Sequence, residues 1–240
     1  MHSNQKASQA KPPGSLAVVA TPIGNLNDVS RRAIETLRSA NAIICEDTRV
    51  TRKLLSHLEI SVPLISLHHH SGREKYEEVI EKIADGGNLA MVSDAGTPGV
   101  SDPGNMLIRK LVDSLGERVR ITAVPGPSAL TAALSISGLP SDRFLFLGFL
   151  PHKKGRETLF RKIIESQETV VFFESPHRIL KTLERLDQLM TPERPMVIVR
   201  EATKMYEERV GETVSECHNL FQSNPQKVKG EFVVIVGVEN

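Results

Sequence analysis

Glu46-Asp47-Thr48-Arg49 follows directly on the apolar run Ala42-Ile43-Ile44-Cys45. A carboxylate beside a guanidinium at such a junction can position a hydroxyl while holding a neighbouring phosphate. Part of the stretch has a plainer reading, in which Asp47 or Thr48 caps a helix and Arg49 pairs with Glu46. A second junction of the same kind is Phe172-Phe173-Glu174-Ser175-Pro176-His177-Arg178, where Glu174 and Arg178 flank a turn. It also reads in part as a strand ending in a capped helix with Pro in its first turn. Between the two lies VSDAGTPGVSDPG, residues 92–104, with two Ser-Asp turns. Lys229-Gly230-Glu231, just before the last apolar run, has the composition of a hairpin turn.

Several common chemistries lack their signatures. The chain has no G-x-x-x-x-G-K-[ST], no G-x-G-x-x-G and no G-x-S-x-G, so ATP phosphoryl transfer and nicotinamide redox chemistry lose their usual support. His68-His69-His70 is read as a polar loop and not as a metal site, because adjacent side chains diverge and no second ligand cluster accompanies them. Cys45 and Cys217 match no metal or redox spacing, and two isolated thiols suit a reducing cytoplasm.

The elements that must position these residues are legible from periodicity. Leu16–Ala20, Ala42–Cys45, Pro63–Leu67, Leu89–Val92 and Val119–Val124 are short apolar runs that predict buried parallel strands. Helical spacing separates them: Ala33, Ile34, Leu37 behind a cap at Asp28 or Ser30; Thr48–His57; Tyr76, Val79, Ile80, Ile83, ended by Gly86-Gly87; and Leu107, Ile108, Leu111, Val112, Leu115. After Pro125-Gly126-Pro127 a small-residue helix begins at Ser128, and the pattern then changes. Strands are predicted at Phe144–Leu150, Thr169–Phe173, Met196–Val199, Tyr206–Val210 and Phe232–Val238. Helices are predicted at Glu157–Ile164, along the stripe Ile179, Leu180, Leu183, Leu186, and around Val214–Phe221. This is an α/β chain of two α/β domains, 16–124 with a mainly parallel sheet and 125–240 mixed, with antiparallel pairs. Residues 1–15, MHSNQKASQAKPPGS, are polar and are read as a disordered tail without the apolar core of a signal peptide.

At 240 residues, 40% hydrophobic and 25% charged, the composition is that of a globular protein, and no apolar run is long enough for a transmembrane helix. Net charge is +1, so overall electrostatics do not announce a nucleic-acid partner. Basic residues nonetheless cluster at Arg49, Arg52, Lys53; at His152, Lys153, Lys154, Arg156, Arg161, Lys162; and at Lys227, Lys229. Each cluster alone reads as a solvated face; together on one side they would suit a polyanion. Ligands of open parallel sheets bind beyond the carboxyl ends of the strands. That rim would gather Thr21-Pro22-Ile23-Gly24-Asn25, Glu46–Arg49, the histidine loop and residues 93–104, and their combined density favours a ligand site.

In order along the chain, ATPIGNLND, EDTR, VSDAGTPGVSDPG, PGPSA, LPSDRFLFLGFLP, FFESPHRI and KGEFVVIV resemble the ribosomal small-subunit methyltransferase I family, within the tetrapyrrole methylase superfamily. The resemblance spans about Leu16 to Val238. EDTR and FFESPHR separate this branch from the porphyrinoid methylases. One departure is Ser71-Gly72, where relatives carry an Asn-Glu pair, so any role of that Glu does not transfer.

The resemblance implies two domains with S-adenosylmethionine in the cleft between them, a homodimer, and a cytoplasmic enzyme acting on 16S ribosomal RNA or the small subunit, away from membranes. Small residues in such loops let backbone amides and carbonyls approach the cofactor closely. By analogy Asp94, Ala95 and Gly96 line its methionine side, with Pro22 and Gly24 at the base. Ser128, Ala129, Leu147 and Gly148 approach from the second domain. Phe173, Glu174, Ser175, Lys229, Gly230 and Glu231 are further candidates. The implied reaction is in-line attack of a cytidine 2′-hydroxyl on the sulfonium methyl, for which a base contributes about 10²–10⁴-fold. Glu46 or Asp47 is the first choice for it and Glu174 the second, with Arg49 holding phosphate or the developing alkoxide. Arg49, Arg52, Lys153, Lys154 and Arg178 are the expected RNA contacts. The rivals are a porphyrinoid methyltransferase and a noncatalytic RNA-binding or assembly protein of the same fold.

Overall fold

A computed structural model of the chain describes residues 14–68, 71–102 and 104–239. They divide into two compact units, one of residues 14–22 and Leu26–Pro127, the other of Ile23–Asn25 and residues 128–239. Residues 1–13 of the expected tail, together with His69, His70 and Pro103, lie outside the described residues. Gly14 and Ser15, read from sequence as part of that tail, open the first strand instead, and Ser15 N–H donates to Gly87 O at 3.0 Å.

In the first unit the elements run β1 (Gly14–Val19), α1 (Arg31–Ser39), β2 (Ala42–Cys45), α2 (Thr48–His57), β3 (Leu64–Ser66), α3 (Arg73–Ala84), β4 (Asn88–Met91), α4 (Gly104–Leu115) and β5 (Val119–Val124). The sheet is parallel throughout, in the order β3-β2-β4-β1-β5. The inner strand β2 is apolar and buried at every position because both faces are covered, whereas the edge strand β5 carries Arg120 and Thr122. Leu16, Ile44, Leu89 and Met91 pack against α3 and α4. The alternate residues Ile43, Cys45, Ala90 and Val92 pack with Ala33 and Leu37 of α1 and Leu55 of α2. Ser30 caps α1, its hydroxyl accepting from Ala33 N–H, so of the two predicted caps it is Ser30 that serves. The helices that follow β1 and β2 lie on one face and those that follow β3 and β4 on the other. β4 sits between β2 and β1, so its carboxyl end lies at a topological switch point, where open α/β sheets bind ligands.

The second unit contains α5 (Ala129–Ser137), β6 (Phe144–Phe149), α6 (Arg156–Glu165), β7 (Thr169–Glu174), α7 (Ile179–Asp187), β8 (Met196–Arg200), β9 (Glu208–Val210), α8 (Val214–Ser223) and β10 (Phe232–Val236). Its sheet order is β6-β7-β10-β8-β9, parallel only between β6 and β7. One face packs on α6, α7 and α8 through Phe160, Leu183, Phe221 and their neighbours. The other carries α5, whose Ala133 and Leu134 meet Val171, Val199, Val233 and Ile235. Beside α5 the rings of Phe146 and Phe173 meet edge to face at 5.0 Å and are only partly buried.

Candidate functional site

In the first unit the loops after β1 and β4 are stitched to each other. Thr21 N–H donates to Gly96 O at 2.9 Å and Gly96 N–H to Thr21 O at 3.1 Å. The Thr21 hydroxyl reaches Ser93 O at 3.2 Å, and the Ser93 hydroxyl reaches Gly96 O at 3.2 Å. Gly96 has φ 81°, a left-handed value that a side chain would strain. Asp94 and Ala95 stand exposed on this fixed loop, while Gly96 is buried. Asp94 Oδ1 also accepts from Asp47 N–H at 3.2 Å, so the loop after β2 is tied to the same point.

Asp47 is the N-cap of α2, as one sequence reading has it, but its ion-pair geometry differs from that expected for this stretch. Arg49 pairs with Asp47, through NH2 to Oδ2 at 2.7 Å and Nε to Oδ1 at 3.1 Å, while Arg49 N–H donates to Oδ1 at 2.8 Å. The side-chain and then the backbone hydrogen bonds of Arg49 draw the Asp47 carboxyl down from 3.8 to about 2. So weak a base is a poor acceptor for a substrate proton near neutral pH. Because the folded value is depressed, what Asp47 contributes to capping is present above its ordinary value and is lost as pH falls through about 2. Carboxyl carbon NMR is expected to give a midpoint near 2, and Arg49→Ala should return it toward 3.8. A wild-type midpoint already at 3.8 would contradict this pairing.

Glu46 is half-buried and lines a small cavity at the carboxyl ends of β2, β3 and β4, with Cys45, His68, Met91, Asp102 and Gly104 among its walls. Asp102 belongs to the second Ser-Asp turn of residues 92–104, which the sequence reading quoted but gave no role. Its carboxylate accepts from Gly104 N–H at 3.2 Å at the start of α4. A Cβ on Gly104 would stand 3.0 Å from the Met91 methyl, so glycine keeps that turn against the cavity wall. Arg49, 84% exposed at its side chain, forms with Arg52, Lys53, Ser56 and His57 an exposed groove along α2. No acidic residue interrupts that helix.

In the second unit the geometry speaks against two expectations for Phe172–Arg178. The Glu174 side chain is fully buried. Arg178 NH2 stands 2.8 Å from its Oε1 and Arg156 NH2 3.2 Å from its Oε2. Ser175 N–H and the Thr182 hydroxyl, each at 2.8 Å, complete the shell. A carboxylate so enclosed has no oxygen left for a substrate proton, so Glu174 does not suit the base role. Arg178, 15% exposed at its side chain, also donates to Leu150 O at 2.6 Å and Ser175 Oγ at 3.3 Å. It locks the turn, which speaks against a contact with an RNA backbone. Lys153 and Lys154 are exposed in the turn before α6, as an RNA contact requires.

The remaining second-unit candidates have features that suit a ligand. Ser128 is the N-cap of α5 but its hydroxyl makes no capping bond. β6 slips register against β7 between Phe146 and Phe149, and the bulge holds Leu147 and Gly148, the latter at φ 62°. Such bulges re-aim strands beside sites. Phe173 meets Phe149 as well as Phe146.

A cluster that the sequence reading missed is Arg200-Glu201-Ala202-Thr203-Lys204, which begins at the last residue of β8 and runs on beyond it. Lys204 Nζ bridges Glu201 at 2.8 Å and Glu231 at 3.1 Å, and Glu231 N–H donates to Glu201 Oε1 at 3.0 Å. A Cβ on Gly230 would fall 2.2 Å from the Glu201 carboxyl, and one on Gly24 would fall 2.4 Å from Lys204 Cγ. Three candidates drawn from two distant blocks, Gly24 from the first and Gly230 and Glu231 from the last, thus converge on one loop. The available signal was the placement of charges immediately after an apolar strand, the same pattern that marked Glu46.

The family model of Tetrapyrrole (Corrin/Porphyrin) Methylases matches residues 15–217. The Ribosomal RNA small subunit methyltransferase I of Haemophilus influenzae is 44% identical over 224 residues, covering 93% of this chain and 78% of that protein. That of Escherichia coli O157:H7 is 41% identical over 237 residues, covering 98% and 81%. Among solved structures, a cobalamin biosynthetic enzyme, cobalt precorrin-4 methyltransferase, superposes with a TM-score of 0.67 at 16% identity, covering 93% of this chain and 94% of that one. Diphthine synthase superposes with 0.68 at 14% identity, covering 93% and 89%. At such identities the solved structures speak for the fold alone.

Proposed function

Because the chain belongs to the tetrapyrrole (corrin/porphyrin) methylases, and by sequence to their ribosomal RNA small subunit methyltransferase I members, we propose that it methylates the 2′-hydroxyl of a cytidine in 16S ribosomal RNA, with S-adenosylmethionine as donor. The observation that carries RNA over a porphyrinoid is identity above 40% across both units to ribosomal RNA enzymes, set against likeness of fold alone to a corrinoid one. A homodimer acting in the cytoplasm is part of this reading. Among the described residues no helix is long and apolar enough to cross a membrane.

The residues present fit the donor. Gly96, in its left-handed conformation on a doubly bonded loop, and the exposed Asp94 and Ala95 offer backbone and carboxylate acceptors at a switch point. Pro22 belongs to the same stitched loops. In the second unit Gly24, Ser128, Ala129, Leu147, Gly148, Phe173, Ser175, Gly230 and Glu231, with the main chain of Lys229, are the proposed further contacts. When bound, the donor supplies an electrophilic methyl on a sulfonium. The chain's task is to align the hydroxyl with it at about 3–3.5 Å and to accept the proton. We assign the proton to Glu46, a half-buried residue that lines the cavity at the carboxyl ends of β2, β3 and β4. Arg49, Arg52, Lys153 and Lys154 are assigned to RNA phosphates.

Labelled S-adenosylmethionine and small-subunit RNA test the activity, with resistance of the modified linkage to alkali marking a 2′-O-methyl. Absence of transfer to RNA, naked or assembled, would sink the reading. Glu46→Gln is expected to lower kcat by about 10²–10⁴-fold, with donor affinity retained. A variant of wild-type kcat would remove Glu46 from the base role.

A further inference from the structure

We propose that Tyr206 and Lys229 form a nucleotide-binding pair, with the Tyr206 ring stacking on an unpaired base of the substrate RNA and Lys229 holding the adjoining phosphate. The proposal rests on the RNA-methylation reading above and names where that RNA is gripped.

One guanidinium places the two residues together. Arg200, 8% exposed, donates through Nε to Lys229 O at 3.1 Å and through NH1 to Tyr206 O at 3.2 Å. The backbone carbonyls of Tyr206 and Lys229 therefore stand within the span of one side chain, although 23 positions separate the residues. Both side chains are turned outward: Tyr206 is 66% exposed, and Lys229 is exposed as well. Met205, 89% exposed, extends the apolar surface.

The loop that carries them is built rather than loose. Glu201 and Thr203 adopt φ 53° and 66°, left-handed values that cost energy in residues with a Cβ. Thr203 Oγ1 is buried without a partner among the described residues. The conformation is held by Glu201 N–H to Glu231 O at 2.9 Å, Lys204 N–H to Glu201 O at 2.9 Å and Glu207 N–H to Lys204 O at 3.1 Å. The bridge from Lys204 to Glu201 and Glu231 closes it. Strain of this kind persists where the surroundings over-determine it, and it gathers at ligand clamps. A fixed loop presenting an exposed ring has already lost the freedom that binding would otherwise remove.

Single-stranded RNA is recognised by stacking bases on aromatic side chains beside cations. The chain has no Trp and two Tyr, and Tyr76 is 5% exposed in the core. That leaves Tyr206 as the surface tyrosine. A second copy of the chain is the less suitable occupant, because two side chains beside a cation fall far short of the roughly 800 Å² per partner that a stable interface buries.

The test uses the full chain carrying Tyr76→Phe, so that Tyr206 is the only source of tyrosine emission. Titration with a single-stranded oligocytidine RNA should quench that emission as the RNA binds. Tyr206→Ala should raise KM for small-subunit RNA by roughly 5- to 150-fold, with donor affinity unchanged, and Tyr206→Phe should restore binding. Unchanged emission under saturating RNA, or a wild-type KM in Tyr206→Ala, overturns the pair while leaving the methylation reading intact. A drop in sedimented mass of Tyr206→Ala assigns the surface to a second copy and also overturns it. If the wild type methylates no RNA, the functional reading fails and this proposal fails with it.

Discussion

Glu174→Gln is expected to lower the unfolding free energy by roughly 3–5 kcal/mol, the usual result of removing one partner from a buried ion pair. Glu174 has no side-chain exposure, and Arg156 and Arg178 have 15% each. The neutral amide would leave two guanidiniums facing each other in the second unit with no anion between them. The loss should spread beyond this point, since Arg156 also donates to Pro151 O at 3.1 Å and Arg178 to Leu150 O at 2.6 Å. Without Glu174 the chain just after β6 loses its tie to the turn after β7. Urea unfolding of the full chain, followed by far-ultraviolet circular dichroism, measures the effect. The reading of Glu174 as a catalytic base makes the opposite forecast: a stable Glu174→Gln with kcat reduced. Wild-type stability in that variant would therefore restore the residue to the chemistry. Pairing it with Arg156→Met, which withdraws one of the two cations, should recover part of the lost stability.

This junction shows what the sequence could and could not convey. FFESPHR was legible as a strand followed by a turn, because Phe172 and Phe173 end an apolar run and Pro176 punctuates it. That Glu174 is enclosed depends on Arg156 and Thr182, which lie 18 and 8 positions away and meet it only in the folded unit. Local pattern carries no trace of such a meeting. At Glu46–Arg49 the capping chemistry was legible, but the partner of Arg49 was not. Carboxylates stand at both 46 and 47, three and two positions from Arg49, and the one that caps α2 is the one turned toward the Arg49 backbone. The strand and helix alternation was readable almost throughout, since period 3.6 and continuous apolar runs are properties of single segments. Strand order, the slip at Leu147-Gly148 and the left-handed backbone at Glu201 and Thr203 are properties of pairs of segments. The loop after β8 went unread for that reason. REATK looks like a solvated charge run until Gly230, Gly24 and Glu231 are seen to close on it.

Asp94→Arg is expected to abolish binding of S-adenosylmethionine, reducing affinity by at least about 100-fold, or roughly 2.7 kcal/mol. The reason is steric and electrostatic together. The loop after β4 cannot retreat to admit a longer side chain, because both backbone groups of Gly96 are bonded to Thr21 and the Ser93 hydroxyl is bonded inside the turn. An arginine there would project from a fixed point at the switch point of the sheet. It would also set a positive charge where the proposed donor carries its own sulfonium. Folding should survive, since Asp94 is exposed and its one bond within the described residues is the 3.2 Å contact from Asp47 N–H. Calorimetry on the wild type, Asp94→Arg and Asp94→Asn separates the two contributions, because the asparagine removes charge while keeping size. Full binding by a folded Asp94→Arg would place the donor away from this loop. Wild-type protein that binds no donor, with or without RNA, would favour the noncatalytic RNA-binding alternative. Loss in Asp94→Arg with partial binding in Asp94→Asn is the result that the loop geometry requires, since bulk and charge reversal act together only in the arginine.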